Sequence, residues 1–226
     1  MSNETFTMQN LEALLEPIRH SPRLLEAVEL LNRQVQNEQQ RRQRFYQEMT
    51  EEQKVEFIDG DVVLHSPARN RHLDATGFLV RLLSTFVDIH KLGTVRSEKC
   101  LCVFPRNDYE PDIVFFGPEK AATLKPDTLK FPVPDFIVEV LSDSTEARAR
   151  GVKLEDYAAN GVREYWIIDS EHGAVEQRLL RDGDYELLMK SSSGTLKSQV
   201  IEGFAIPVEA VFDEAANLET LKSLLS

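Results

Sequence analysis

Two carboxylates and a lysine stand in surroundings whose patterning is otherwise apolar. Glu139 lies inside Phe136-Ile137-Val138-Glu139-Val140-Leu141, a run that reads as a buried strand. Side chains alternate along a strand, so Ile137, Glu139 and Leu141 share one face, and Phe136, Val138 and Val140 share the other. Both faces are apolar except at Glu139, which predicts a central strand covered on both sides. A lone ionised carboxylate there is costly unless a cation, hydrogen bonds or a shifted pKa relieves it. Taken singly, Glu139 also reads as a core glutamate satisfied by Arg, Lys or backbone N–H groups. Asp112 opens a second apolar run, Ile113-Val114-Phe115-Phe116. Pro111 before it has no N–H for a ladder bond, so pairing is interrupted and room is left for a ligand. Taken singly, Asp112 reads as a strand-start aspartate. Together, carboxylates from neighbouring strands suit a hard divalent cation such as Mg²⁺ or Mn²⁺, with waters completing the octahedron. The ion would also relieve the charge that makes Glu139 costly. Lys153 lies on the helix that follows the Glu139 strand and shares a face with Tyr157 and Asn160. A lysine near a metal-bound water can polarise it, or stabilise charge developing on a phosphate. Alone, Lys153 reads as a surface lysine.

The elements that must position these groups follow from periodicity and turn signals. Val55-Glu56-Phe57-Ile58, Asp59-Gly60 and Asp61-Val62-Val63-Leu64 predict a hairpin, because Asp-Gly supplies the positive φ angles of a tight turn. Residues 68–91 predict a helix with Leu79, Leu82, Leu83 and Phe86 on its apolar face. His72 falls inside that helix and reads as a polar helix residue, not as a metal ligand. Strands are expected over 94–104, 109–116, 133–141 and 164–169, and three shorter ones near 174–180, 185–189 and 195–200. A helix is expected over 145–160, ending before Gly161, and another from Leu218. Gly151 interrupts the first of these at a cost of about 1 kcal/mol. The order predicts an α/β fold with a mixed sheet and helices packed on it.

Residues 1–50 have a different texture and are expected to form a helical N-terminal extension to a domain over 51–226. Ser21-Pro22 suits a helix start. Leu24, Val28, Leu31 and Val35 then form one helical stripe, which fades in the polar run Gln36 to Gln43. The stripe suits packing on its own domain or pairing with a second copy, so a homodimer or higher homo-oligomer is the expectation. The formal net charge of −12 argues against general attraction to nucleic acid and leaves room for a local basic groove. No apolar run reaches the roughly 18 residues that a membrane span needs, and the first ten residues lack a secretion-signal pattern. Cys100 and Cys102 sit too close on one strand for an easy mutual disulfide and read as reduced core thiols, which favours the cytoplasm. Cys-x-Cys with no partner His or Cys is poor evidence for zinc. Neither a phosphate-cradling glycine loop nor a serine nucleophile elbow is visible.

The ordered set resembles the PD-(D/E)XK nuclease superfamily and is more closely similar to the Uma-type putative restriction endonuclease family. It comprises Glu56-Phe57-Ile58-Asp59-Gly60, Pro67, His72, Glu110-Pro111-Asp112-Ile113-Val114, Phe136 to Ser142, Lys153, Tyr157 and Gly161 to Asp169. The resemblance runs from about Val55 to about Phe212. It implies a restriction-endonuclease-like central mixed sheet flanked by helices, and Mg²⁺- or Mn²⁺-dependent hydrolysis of DNA phosphodiesters. By position it implies Asp112 and Glu139 as metal ligands, Lys153 as the catalytic lysine and Glu56 as an accessory acid near the metal. Many superfamily members carry the lysine two residues after the strand glutamate. Leu141 stands there in this chain, so the lysine has moved to the helix. Members commonly carry an acid about five positions before that lysine, whereas this chain has Arg148, which could contact phosphate with Arg150. The rival expectation is a nucleic-acid-binding or regulatory protein that keeps the fold without cutting. A third is a packing role alone for the carboxylates.

Overall fold

The computed structural model describes residues 8–50 and 52–225. Two helices lead, α1 (Met8–Arg19) and α2 (Leu24–Glu48). The hairpin β1 (Val55–Ile58) and β2 (Asp61–Leu64) follows, with Asp59 at φ 52° and Gly60 at φ 87° forming the expected turn. Next come α3 (Asn70–His90), β3 (Thr94–Ser97), β4 (Leu101–Val103), β5 (Asp108–Tyr109) and β6 (Ile113–Phe116). The short α4 (Pro118–Ala121) and β7 (Lys130–Phe131) lead to β8 (Phe136–Val140), which carries Glu139. Helices α5 (Glu146–Arg150) and α6 (Val152–Ala159) precede β9 (Glu164–Asp169). The chain closes with β10 (Ala174–Arg181), β11 (Asp184–Ser191), β12 (Thr195–Lys197), β13 (Ala205–Pro207), a 3₁₀ turn and α7 (Glu214–Leu224).

The strands form a six-stranded mixed sheet ordered β11-β10-β9-β8-β6-β3, a five-stranded sheet ordered β2-β1-β5-β4-β7, and the pair β12-β13. In the larger sheet β8 is central, parallel to β9 and antiparallel to β6. Its two faces feed two cores, as alternation requires. Phe136, Val138 and Val140 pack with α3 residues Leu79, Leu82, Leu83 and Phe86. Ile137 points to the opposite core, with Tyr157 of α6 and Cys102, Phe104 and Tyr109 of the smaller sheet's side.

Three expected elements are divided. The strand over 94–104 turns at Glu98 and Lys99, both at positive φ, so β3 stays in the large sheet while β4 joins the small one. The strand over 109–116 is cut at residues 110–112, where the chain crosses from the small sheet to the large. Pro111 cannot join a ladder, which suits that crossing. The helix over 145–160 breaks at Gly151, whose φ and ψ of −112° and −111° are not helical. The final helix starts earlier than expected, because Asp213 caps it through Ala216 N–H.

The polar half of α2 is anchored where hydrophobic periodicity gives no signal. Arg42 donates to Asp108 and to the carbonyls of Phe104, Pro105 and Asn107. Glu38 accepts two bonds from Arg106, and Phe45 stacks on Phe57. Leu24, Val28, Leu31 and Val35 remain exposed. Among the described residues no helix is long and apolar enough to cross a membrane. Cys100 and Cys102 are buried free thiols.

Candidate active site

The seam between the two sheets brings the charged residues together. Ile113 of β6 pairs with Val138 of β8. Continuing that antiparallel register by one residue sets Asp112 opposite Glu139, on one face. The ladder itself stops there, and the Asp112 side chain takes over. Its Oδ2 accepts the Val140 N–H at 2.8 Å. Two glutamates do the same where β1 and β5 part. Glu56 Oε1 accepts the Glu110 N–H at 2.9 Å, and Glu110 Oε2 accepts the Val55 N–H at 3.0 Å. Backbone donors freed by the crossing are thus met by carboxylates, as buried N–H groups require.

Glu139 is held from one side only. Lys153 Nζ and Tyr157 Oη, one helical turn apart on α6, both donate to Glu139 Oε1, at 2.7 and 2.8 Å. No described residue bonds Oε2, and Glu139 lines a cleft with Asp112, His65, His72 and Lys54. The cleft encloses about 690 Å³. Burial raises the Glu139 pKa, Lys153 opposes that rise, and Asp112 and Glu56 add to it. Lys153 also lies 2.8 Å from Glu56 Oε1, so one ammonium bridges two buried carboxylates. Burial would lower its pKa, but Glu139 and Glu56 win and hold it above the ordinary value. Burial would raise the Glu56 carboxyl, yet Lys153 and His65 bring it down to about 2. Burial likewise opposes ionisation of Asp112, and His72 and Lys54 overcome it, keeping the acid below the usual carboxylate range.

All four residues singled out by the sequence, Asp112, Glu139, Lys153 and Glu56, therefore meet in one network. Their access differs. Asp112 and Glu139 line the cleft, whereas Lys153 and Glu56 lie behind them, fully buried. Three neighbours were not assigned a role from the sequence. Lys54 Nζ lies 2.7 Å from Asp112 Oδ1. His72 Nε2 lies 3.4 Å from the same oxygen. His65 Nε2 approaches Glu56 Oε2 at 2.9 Å, although the alignment is too poor for a hydrogen bond. The signal for Lys54 and His65 was present. Lys54 and Glu56 share a face by alternation, and the hairpin register that pairs Val55 with Leu64 sets Lys54 opposite His65. Arg150 pairs with Glu146 and Glu176, while Arg148 Nε is buried without a hydrogen-bond partner.

The donor set fits a hard cation of modest demand. Among the described residues no group of three or more His, Cys, Asp and Glu side chains could hold a metal ion. Two carboxylates on adjacent strands, one with an unbonded oxygen facing the cleft, are sufficient for Mg²⁺, which keeps several waters. Four carboxyl groups, on Glu56, Glu110, Asp112 and Glu139, face two ammonium groups and two imidazoles.

Residues 38–209 match a family model, Uma2, described as "Putative restriction endonuclease". The chain is also similar to a crystal structure of a putative nuclease belonging to DUF820 from Anabaena variabilis ATCC 29413. That likeness has a TM-score of 0.65 and 15% identity, and covers 76% of this chain and 96% of that one. It shows a shared fold. Among curated proteins nothing matches.

Proposed function

The chain belongs to the Uma2 family, described as "Putative restriction endonuclease", and from that premise we propose that it is a metal-dependent endonuclease hydrolysing DNA phosphodiester bonds. The observation that carries the reading is the facing pair Asp112 and Glu139 at the cleft, with Glu139 Oε2 bonded by no described residue. These two residues would hold Mg²⁺ or Mn²⁺. When bound, the ion would supply Lewis acidity toward a phosphate oxygen and an attacking water.

The chain's own groups do the positioning. The Val140 N–H fixes Asp112, while Lys153 and Tyr157 fix Glu139 from behind and leave its second oxygen to the cleft. Such alignment is made during folding and costs nothing at the moment of reaction. Lys153 is proposed as a positioning residue that also keeps positive charge at the centre. Glu56 holds Lys153 in turn. Arg69 and Arg71 line the cleft in exposed ion pairs with Asp143 and Glu171, and would exchange those partners for a phosphate backbone.

The test is nicking of supercoiled plasmid in Mg²⁺ or Mn²⁺. Wild-type protein should nick, and Asp112→Ala and Glu139→Ala should not. Equal behaviour of all three in clean preparations would dismiss the enzyme. The rival reading, a protein that binds nucleic acid without cutting, has one observation in its favour: Lys54 already neutralises Asp112. Finer proposals accompany the main one. A homo-oligomer would use the exposed stripe Leu24, Val28, Leu31 and Val35, and serine at all four positions should lower the mass in sedimentation. A cytoplasmic home is proposed from the two reduced, buried thiols, and fractionated cells would test it.

A further inference from the structure

Of the two lysines in the network, only Lys54 reaches the cleft. Its side chain is 22% exposed and lines the cleft, whereas the Lys153 side chain is 2% exposed behind Glu139. Lys54 Nζ lies 2.7 Å from Asp112 Oδ1. The other Asp112 oxygen is taken by the Val140 N–H. Oδ1 takes no backbone bond from the described residues, and the ammonium lies on it, with His72 Nε2 at 3.4 Å from the same oxygen. Glu139 is close enough that its charge also acts on Lys54.

We infer that Lys54 is an exchangeable cation of this cleft: it bonds Asp112 Oδ1 until a divalent ion takes that oxygen, and then turns to a phosphate oxygen of the nucleic-acid backbone. The inference rests on the proposed metal-dependent reading and adds a residue to it. An ammonium and a divalent ion repel strongly at one carboxylate oxygen, so loading one weakens the other. The backbone need not move for the exchange. Lys54 C=O is anchored by the His65 N–H at 3.1 Å, at the base of the β1–β2 hairpin. Only the four-carbon stem must swing, and lysine is a flexible point charge suited to that. The displaced ammonium stays in a cleft where a phosphodiester would bring the complementary charge. Glu52 and Glu98 also line the cleft and are the competing acceptors, while Asp143 there is already paired with Arg69.

The test uses the full chain with Lys54→Met and Lys54→Arg. Mn²⁺ affinity is read by calorimetry, and affinity for a duplex oligonucleotide in Ca²⁺ is read by fluorescence anisotropy. Lys54→Met should bind Mn²⁺ about tenfold more tightly or better, since a competing charge-assisted bond is gone. It should bind the duplex several-fold more weakly. Lys54→Arg, which keeps the charge, should stay near wild type in the Mn²⁺ titration. Unchanged or weaker Mn²⁺ binding by Lys54→Met overturns the inference. Tighter Mn²⁺ binding with unchanged duplex binding also overturns it, since the ammonium then goes to Glu52 or Glu98. Failure of wild type and both variants to bind Mn²⁺ overturns the metal-dependent reading itself, and the inference with it.

Discussion

Two buried glutamates on neighbouring strands have opposite circumstances. Glu164 opens β9, which runs parallel to β8, and it is as buried as Glu139. Five donors satisfy it. Trp166 Nε1 and Gln177 Nε2 bond Oε1 at 2.7 Å each. Ser198 Oγ and the N–H groups of Gln199 and Val200 bond Oε2 at 2.7 to 3.0 Å. All are neutral, and no oxygen is spare. At Glu139 the donors crowd one oxygen, one of them is an ammonium, and the other oxygen faces a cleft. Burial of a carboxylate does not mark a site. The proposed site differs in having a spare oxygen beside a second carboxylate.

The contrast breaks most sharply on activity. Glu139→Gln and Asp112→Asn should each lower plasmid cleavage by about 10² to 10³. Glu164→Gln should leave the rate within a few-fold, because Glu164 contacts nothing in the cleft. A comparable loss in all three would erase the distinction. Stability should not separate the two glutamate sites as activity does. Lys153→Met strands Glu56 and Glu139 beside each other and should cost about 3–5 kcal/mol in urea unfolding. Glu164→Ala leaves five donors unmet and should cost a similar amount. A cost for Lys153→Met below about 1 kcal/mol would show that the bridge is not formed. Tyr157→Phe removes one bond to a charged acceptor and should cost about 1.5–3 kcal/mol.

The smallest expected effect is in pH dependence, where the sign separates the carboxyls. Burial raises Glu110 to about 7 against an ordinary 4.5. The folded state then holds that proton more tightly, so its contribution is full below pH 4.5 and is lost as pH rises toward 7. Glu56 is held near 2, so its contribution is present above pH 4.5 and is lost as pH falls toward 2. Urea midpoints against pH should therefore decline less between pH 5 and 7 in Glu110→Gln, where the raised Glu139 remains. A decline unchanged in that variant would contradict the assignment.

Much of this was legible in the sequence where local rules govern. Asp59-Gly60 announced the hairpin, because few residue pairs accept two positive φ angles. Alternation placed Glu139 between Ile137 and Leu141, and helical spacing put Lys153 and Tyr157 on one face, where both now meet one oxygen. Exchange between sheets was not legible. Glu98 and Lys99 turn the chain without a glycine, so the run from Thr94 to Phe104 looked continuous. The docking of α2 was hidden too, since Arg42 and Glu38 act through partners more than sixty residues away and leave no apolar period. Lys54 escaped for a different reason. Its alternation with Glu56 was readable, but a lysine before a strand reads as surface until Asp112 is known to stand beside it. Glu164 is the complementary lesson, since it too lies in a buried strand, and its two oxygens are met wholly by internal donors.

The most direct test is the anomalous scattering of Mn²⁺ in crystals of the wild-type protein. One peak within ligand distance of both Asp112 and Glu139, with Lys153 and Tyr157 still on Glu139 Oε1, is the predicted result. Mn²⁺ absent from that position, or bound only elsewhere, would contradict the claim that these two carboxylates form a cation site.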